Sequence, residues 1–206
     1  VVPRCFGYFR FRGETLISAE IESICVQNGT LPYADYLDCR KMNLMVNVFF
    51  NDSVFAEVIK LVKALGLSPW DWIERVYAHG HSPRFDELVS LFLKETHEEV
   101  WDGREELVKF TQSVEVIDKY VAGEYGSNLI FKYKALSMTA YFDAVAEVAR
   151  RTAEEFLAEK GVDARWVELA REIIRYNTLR VADIFGRDHS PRQEAFAYDV
   201  IAFAKE

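Results

Sequence analysis

Three of the four histidines, His79, His81 and His97, stand near carboxylates in the chain, with Asp86 and Glu98 as nearby oxygen donors. Imidazole and carboxylate together suit zinc or iron. The spacing does not: there is no HExxH, and no Glu-x-x-His of the kind a di-iron helical bundle uses twice. A solvated loop with ordinary histidines is the expected reading, and no metal ligand is assigned. Glu98-Glu99, Glu105-Glu106 and Glu154-Glu155 offer general acids and bases. Adjacent residues on a helix point about 100° apart, so such a pair cannot serve one site. These glutamates, like Lys60, Lys63 and Arg150-Arg151, read as solvated helix faces. Tyr176, Asn177 and Arg180 lie beside an apolar stripe, where polar groups need partners. They mark a candidate pocket between helices or, in the plainer reading, a satisfied core amide. Trp70, Trp72, Trp101 and Trp166 read as core or interface anchors. No Gly-rich phosphate loop is present and sequence alone supports no Ser-His-Asp or Cys-His arrangement, so no catalytic or cofactor-binding residue is assigned.

The elements that must position these residues are mostly helical. "CFGYFRFRGE" alternates aromatic with polar residues, the period-two pattern of a half-buried strand, and "TLISAEIESICVQ" continues it. "NGT" marks a turn, and Thr30 and Pro32 are placed to begin a helix. The helix over Tyr33 to Phe50 carries Leu37, Leu44 and Val48, and Asn51-Asp52 breaks it. Phe55, Ile59, Val62 and Leu65 form the next stripe, closed by Gly66. Ser68-Pro69 and Ser82-Pro83 each place a capping hydroxyl before a proline at the first helical position. Phe85, Leu88, Leu91 and Phe92 line the helix after the second. Leu107, Phe110, Val114, Ile117 and Val121 form another stripe, and "GEYGSN" is the clearest interior break.

The last third holds the longest helices. Tyr141, Val145, Val148 and Phe156 line the first, with Glu147 and Arg151 as an i,i+4 pair on its other side. Asp163 caps the next, whose face runs Trp166, Leu169, Ile173, Ile174, Val181 and Ile184, with Gly186 beyond its end. In the tail, Phe196, Tyr198 and Val200 alternate like a strand. Asp199 could instead cap a short helix there, and Ser190 to Gln193 would fit a capping box. The fold class expected is mainly α, a multi-helix bundle-like domain with a short β-hairpin or strands at the N-terminus. It is read as a single helical domain over 1–206, with a β-containing segment over 1–29 and helices over 30–206.

Composition narrows the function classes. Half of the 206 residues are apolar and 14% aromatic, enough for a substantial core and against overall disorder. The formal charge of −8 argues against a nucleic-acid or anionic-membrane surface. No apolar run approaches the ~18 residues of a membrane span. Cys5, Cys25 and Cys39 are odd in number and match no local zinc or iron–sulfur spacing, so reduced thiols in a cytoplasmic protein are expected. The chain opens on Val1 with strand-like sequence, and a piece of a longer protein is expected.

A family likeness supports that expectation. The stretch "EIESICVQNGTLPYADYLDCRKMNLMVNVFFNDSVFAEVIKLVKALGLSPWDWIERVY" resembles the region that follows the catalytic barrel in cobalamin-binding radical SAM enzymes. The matching positions are Glu22 on a strand, Thr30 with Asp35-Tyr36 in the turn, Arg40 on the helix and Asn51 at its end. The tail "FAYDVIAFAKE" is similar to the Tyr-Asp-containing ends of such proteins. The likeness covers roughly residues 14 to 78 and the last dozen, and the middle helices lie outside it. The family's Cys-x-x-x-Cys-x-x-Cys cluster loop is missing, as is its Asp-x-His-x-x-Gly cobalamin segment; His79-Gly80-His81 is not that motif. The resemblance therefore implies a parent enzyme with a [4Fe–4S] cluster, SAM and cobalamin, none of them held by this chain. It implies a non-catalytic C-terminal accessory domain whose partner is the parent's catalytic barrel. Two alternatives stand beside it: an autonomous helical interaction or small-ligand module, and a metal-dependent helical enzyme using the histidines. A homodimer through the N-terminal strands is a further expected arrangement, since an uncovered sheet edge invites pairing.

Overall fold

The computed structural model describes residues 1–51, 54–125, 128–181 and 193–205, and the Cys5 side chain lies outside that set. The described residues form one antiparallel hairpin and ten α-helices, the mainly α architecture that the periodicity predicts. They divide into two compact units, one of Val1–Arg40 with Ser90–Tyr133, the other of Lys41–Val89 with Lys134–Glu206.

In the first unit, β1 (Val2–Phe11) pairs with β2 (Glu14–Glu22). The reversal falls at Arg12-Gly13, which take positive φ angles of 52° and 85°. A tight hairpin turn requires that left-handed pair, and glycine adopts it without strain. β structure ends at Glu22, short of the expected Gln27. The Asn28 side-chain oxygen then accepts from the Thr30 N–H, the Thr30 hydroxyl and the Leu31 N–H, which makes the predicted turn. α1 (Tyr33–Val46) follows, starting just after Pro32, and runs into a π-helical turn over Asn47–Asn51.

α4 (Pro83–Glu98) leads to α5 (Arg104–Thr111), which packs on β2, and α6 (Val114–Val121), which packs on β1. The single stripe expected from Leu107 to Val121 is thus two helices. The Thr111 hydroxyl bonds back to the Leu107 and Val108 carbonyls, and Ser113 turns extended, so the chain leaves the helix there. Leu107 and Ile117 are buried, whereas Val114 and Val121 are exposed. α7 (Leu129–Ser137) is a further helix to which the sequence reading assigns nothing. At its start Leu129 is buried, and Tyr133 meets Phe92 edge-on at 5.2 Å.

The second unit is built from α2 (Ala56–Ala64), α3 (Pro69–His79), α8 (Phe142–Glu159), α9 (Ala164–Val181) and α10 (Val200–Lys205). α8 packs against both α3 and α9, and α9 also meets α2 and α10. Phe49, Phe55, Trp72 and Phe85 form the aromatic centre of this core, with ring separations from 5.7 to 6.5 Å. The buried Trp72 indole donates to the Thr152 hydroxyl at 3.2 Å, which donates in turn to the Val148 carbonyl at 2.7 Å.

Several sequence expectations about the caps hold. The Ser82 hydroxyl accepts from the Phe85 N–H, Asp163 from that of Arg165, and Asp199 from that of Ala202. The tail is accordingly a capped helix and not a strand. Ser68 makes no such bond, and α3 starts on Pro69 alone. Arg151 does not pair with Glu147. It reaches Glu155 and the carbonyls of His79 and His81, which ties down the loop ahead of α4. Asp52, Ile184, Gly186 and Ser190 to Arg192 lie outside the described residues.

Gly80 closes α3 against α8. A Cβ there would stand 2.3 Å from the Val76 carbonyl oxygen and 2.9 Å from Val148. Gly80→Ala is expected to cost about 1–3 kcal/mol of stability in urea denaturation. A second test concerns pH. Arg171, with Arg150 adding, holds the Glu154 carboxyl below the usual carboxylate range, against the opposing effect of burial. That stabilisation is complete above the unfolded carboxyl value of about 4.3 and is lost as pH falls through the lower folded value. Glu154→Gln is therefore expected to lower stability by about 0.5–1 kcal/mol at pH 7, with the difference closing in acid.

Candidate functional site

The sequence-selected residues Tyr176, Asn177 and Arg180 do come together, around a residue the sequence reading passed over. The Asn177 amide donates to the Val54 carbonyl and, at 2.8 Å, to Glu57. Arg180 takes the other Glu57 oxygen, and its guanidinium lies 5.4 Å from the Tyr176 ring centre. Asn177 and Glu57 are buried. The amide nitrogen is thus satisfied by protein, and the cluster ties α9 to α2. The Asn177 Oδ1 is buried and lacks a hydrogen-bond partner.

The histidines are not gathered. His81 pairs with Asp86 at 3.0 Å in the second unit, and His97 meets the Tyr33 hydroxyl at 2.9 Å in the first. Among the described residues, no three His, Cys, Asp or Glu side chains are grouped to hold a metal ion. Cys25 and Cys39 are free thiols. Trp72 is a core anchor, whereas Trp70 and Trp166 are each a little under half exposed. No described helix is long and apolar enough to cross a membrane.

One cavity lies in the first unit. It has a volume of about 400 Å³. The end of α4 supplies Glu95 and Glu98, and the chain just beyond it supplies Glu99 and Trp101. Phe110 comes from α5 and Tyr120 from α6; Glu124 and Tyr125 follow, and Lys132 comes from α7. The rings form a continuous chain. Trp101 lies 5.0 Å from Phe110, Phe110 6.1 Å from Tyr125, and Tyr125 5.4 Å from Tyr120. Tyr120 also stacks on Phe6 of β1 at 3.6 Å. Burial, with Tyr125 adding, pushes the Tyr120 phenol up to about 12, so it stays neutral.

The charges are unevenly matched. Lys132 holds both Glu95 oxygens at 2.7 and 2.8 Å, and the Tyr133 hydroxyl adds a third bond. Glu99 is less well served. Arg40 approaches it only to 3.8 Å, and burial raises its carboxyl above the usual range despite that arginine. The Arg40 Nε is itself buried without a partner. Glu98 and Glu99 both line this cavity, contrary to the expectation that adjacent glutamates cannot serve one site: with Glu95 they fall at i, i+3 and i+4, a spacing already visible in the sequence. The aromatic wall, drawn from three separate elements, was not readable there.

Two further surfaces are apolar. In the second unit, Val46, Phe50, Pro69, Trp70 and Ile73 line a groove of about 420 Å³. On the hairpin, Phe9 stands opposite Leu16 and Phe11 opposite Glu14, so these residues share the face turned away from α5 and α6. Phe9, Phe11 and Leu16 are 58%, 60% and 49% exposed.

No protein-family model matches the chain, and no curated protein or solved structure is significantly similar to it. Of the positions that carry the family likeness, Glu22 pairs with Arg4 at 2.5 Å, Tyr36 lies 5.7 Å from Tyr33, and Arg40 faces Glu99. Asn51 ends the π-helical turn.

Glu57→Ala would leave the Asn177 amide and Arg180 without their shared acceptor. The expected loss is about 2–3 kcal/mol in urea denaturation, because a buried donor stripped of its partner keeps its full desolvation cost.

Proposed function

We propose that this chain is a non-catalytic accessory domain of a cytoplasmic, cobalamin-dependent radical SAM enzyme. In this reading it packs on the parent's catalytic barrel and helps shape the substrate site. The sequence likeness over Glu22–Tyr77 motivates the reading, and the exposed hairpin face supports it. Phe9, Phe11 and Leu16 lie together on one side of a two-stranded ribbon whose other side already meets α5 and α6. Clustered large apolar side chains in water are a common mark of a protein contact. The barrel is the occupant that the family likeness names. The [4Fe–4S] cluster, SAM and cobalamin belong to the barrel portion in this reading. The residues of this chain do not fit them: the cysteines are spread over 34 positions of sequence, from Cys5 to Cys39, without the cluster spacing. No chemical step is assigned to this chain.

A second reading, an autonomous small-ligand-binding module, draws on a different observation, the cavity of the first unit.

The coding sequence upstream of Val1 tests the proposal first. A segment carrying Cys-x-x-x-Cys-x-x-Cys is expected, and an upstream sequence without it overturns the reading. That segment, expressed separately, is then expected to co-elute with this chain in size exclusion. Phe9→Glu with Phe11→Glu should weaken the complex at least tenfold and leave the chain's helical circular dichroism unchanged. Unchanged affinity would move the contact elsewhere.

A further inference from the structure

The cavity of the first unit combines two features that serve one kind of ligand. Four aromatic residues line it, and aromatic π-systems attract cations held over them, most strongly when water is excluded. Four carboxylates line it as well, against one lining ammonium, Lys132. Glu95 is the acid that Lys132 neutralises. Glu98 has only the solvent-exposed Lys94, at 3.7 Å. Glu99 is four-fifths buried and faces Arg40 at a distance too long for a hydrogen bond. An acid in that state gains from any donor that can reach it. The wall also shows that its rings tolerate a cation close by, since the Lys119 ammonium lies 5.7 Å from the Tyr125 ring centre. The volume of about 400 Å³ falls in the range of small-molecule sites.

We infer that this cavity binds a small organic ammonium ion, held by Glu99 and Glu98 on one side and by the Trp101, Phe110 and Tyr125 rings on the other. Anions are disfavoured by the carboxylates, and neutral apolar ligands by the half-polar lining. A bare metal ion would find a less suitable site, since no group of three metal-ligating side chains is present among the described residues. A quaternary or primary ammonium on a short carbon chain satisfies both walls at once: its charge meets the carboxylates and its methyl or methylene groups meet the rings. The inference concerns the first unit's own residues and does not depend on what the parent protein is.

The test is isothermal titration of the whole chain with choline and, separately, with putrescine, using isobutyrate as an anionic control of similar size. At least one of the two ammonium ions is expected to bind with one-site stoichiometry, and isobutyrate is not. Glu99→Gln and Tyr125→Leu are each expected to weaken that binding at least tenfold. Glu124→Gln, at the exposed rim, should weaken it by a smaller factor. Circular dichroism checks that each variant is folded, and the exposed position of Glu124 keeps one variant free of packing effects. If neither ammonium ion binds to the folded chain at tens of millimolar, the inference fails. It also fails if the three variants bind as the wild type does, which would mark diffuse attraction to an acidic surface.

Discussion

A single hydrogen bond in the second unit sets the terms for what surrounds it. An indole ring can be fully buried at modest cost only if its N–H finds an acceptor. Trp72 finds one in the Thr152 hydroxyl, in the middle of α8. The threonine can accept because its own proton goes to the carbonyl one turn back. This pair places α3 on α8, and the rings of Phe49 and Phe55 then meet the Trp72 edge. The small residues Ala144, Ala146, Ala149 and Ala153 keep α8 narrow enough to be covered from more than one direction. One residue before Thr152, Arg151 binds two loop carbonyls, so neighbouring positions of α8 fix both a helix and the loop that follows it.

The first unit is held differently. Its described core is smaller, and much of its cohesion comes from aromatic stacking and from charge. Phe6 on Tyr120, Tyr8 to Asp118 and Lys132 to Glu95 all join elements distant in sequence. Such contacts leave gaps that aliphatic packing would close, and the cavity is one such gap. Its carboxylates do not repel one another strongly enough to prevent folding, because Glu95 is paired and the raised affinity of Glu99 for a proton relieves part of its burial cost.

Much of the architecture was legible in the sequence, and the exceptions have physical causes. Helix stripes such as Phe55, Ile59 and Val62 are read directly from the 3.6-residue period, and caps such as Asp163 and Asp199 from residue type. The break at Gln112-Ser113 was hidden because the apolar spacing continues through it, while the Thr111 back-bonding that ends the helix depends on conformation. Arg151 was assigned to Glu147 by the i,i+4 rule, yet two loop carbonyls and Glu155 compete for the same guanidinium. The Asn177 cluster was found from one side only. Its acceptor, Glu57, sits 120 residues earlier, on a helix whose periodicity shows only an apolar stripe. The aromatic wall escaped because its members come from separate elements that only tertiary packing brings together.

The hairpin carries one more lesson, in its count of residues. Pro3 stands opposite Ile21, and Phe6 opposite Ala19. Two residues of β1, Arg4 and Cys5, therefore face one residue of β2. This bulge reverses the strand's parity, so Pro3 and Phe6, three positions apart, fall on the same side. Pro3 lines the cavity, and Phe6 stacks on Tyr120. Were the same residues paired regularly, with no bulge, a strand anchored at Pro3 would turn Gly7, Phe9 and Phe11 toward the helices and Phe6 and Tyr8 toward water. The bulged pairing thus decides which aromatic set closes the unit and which is left for another surface to cover.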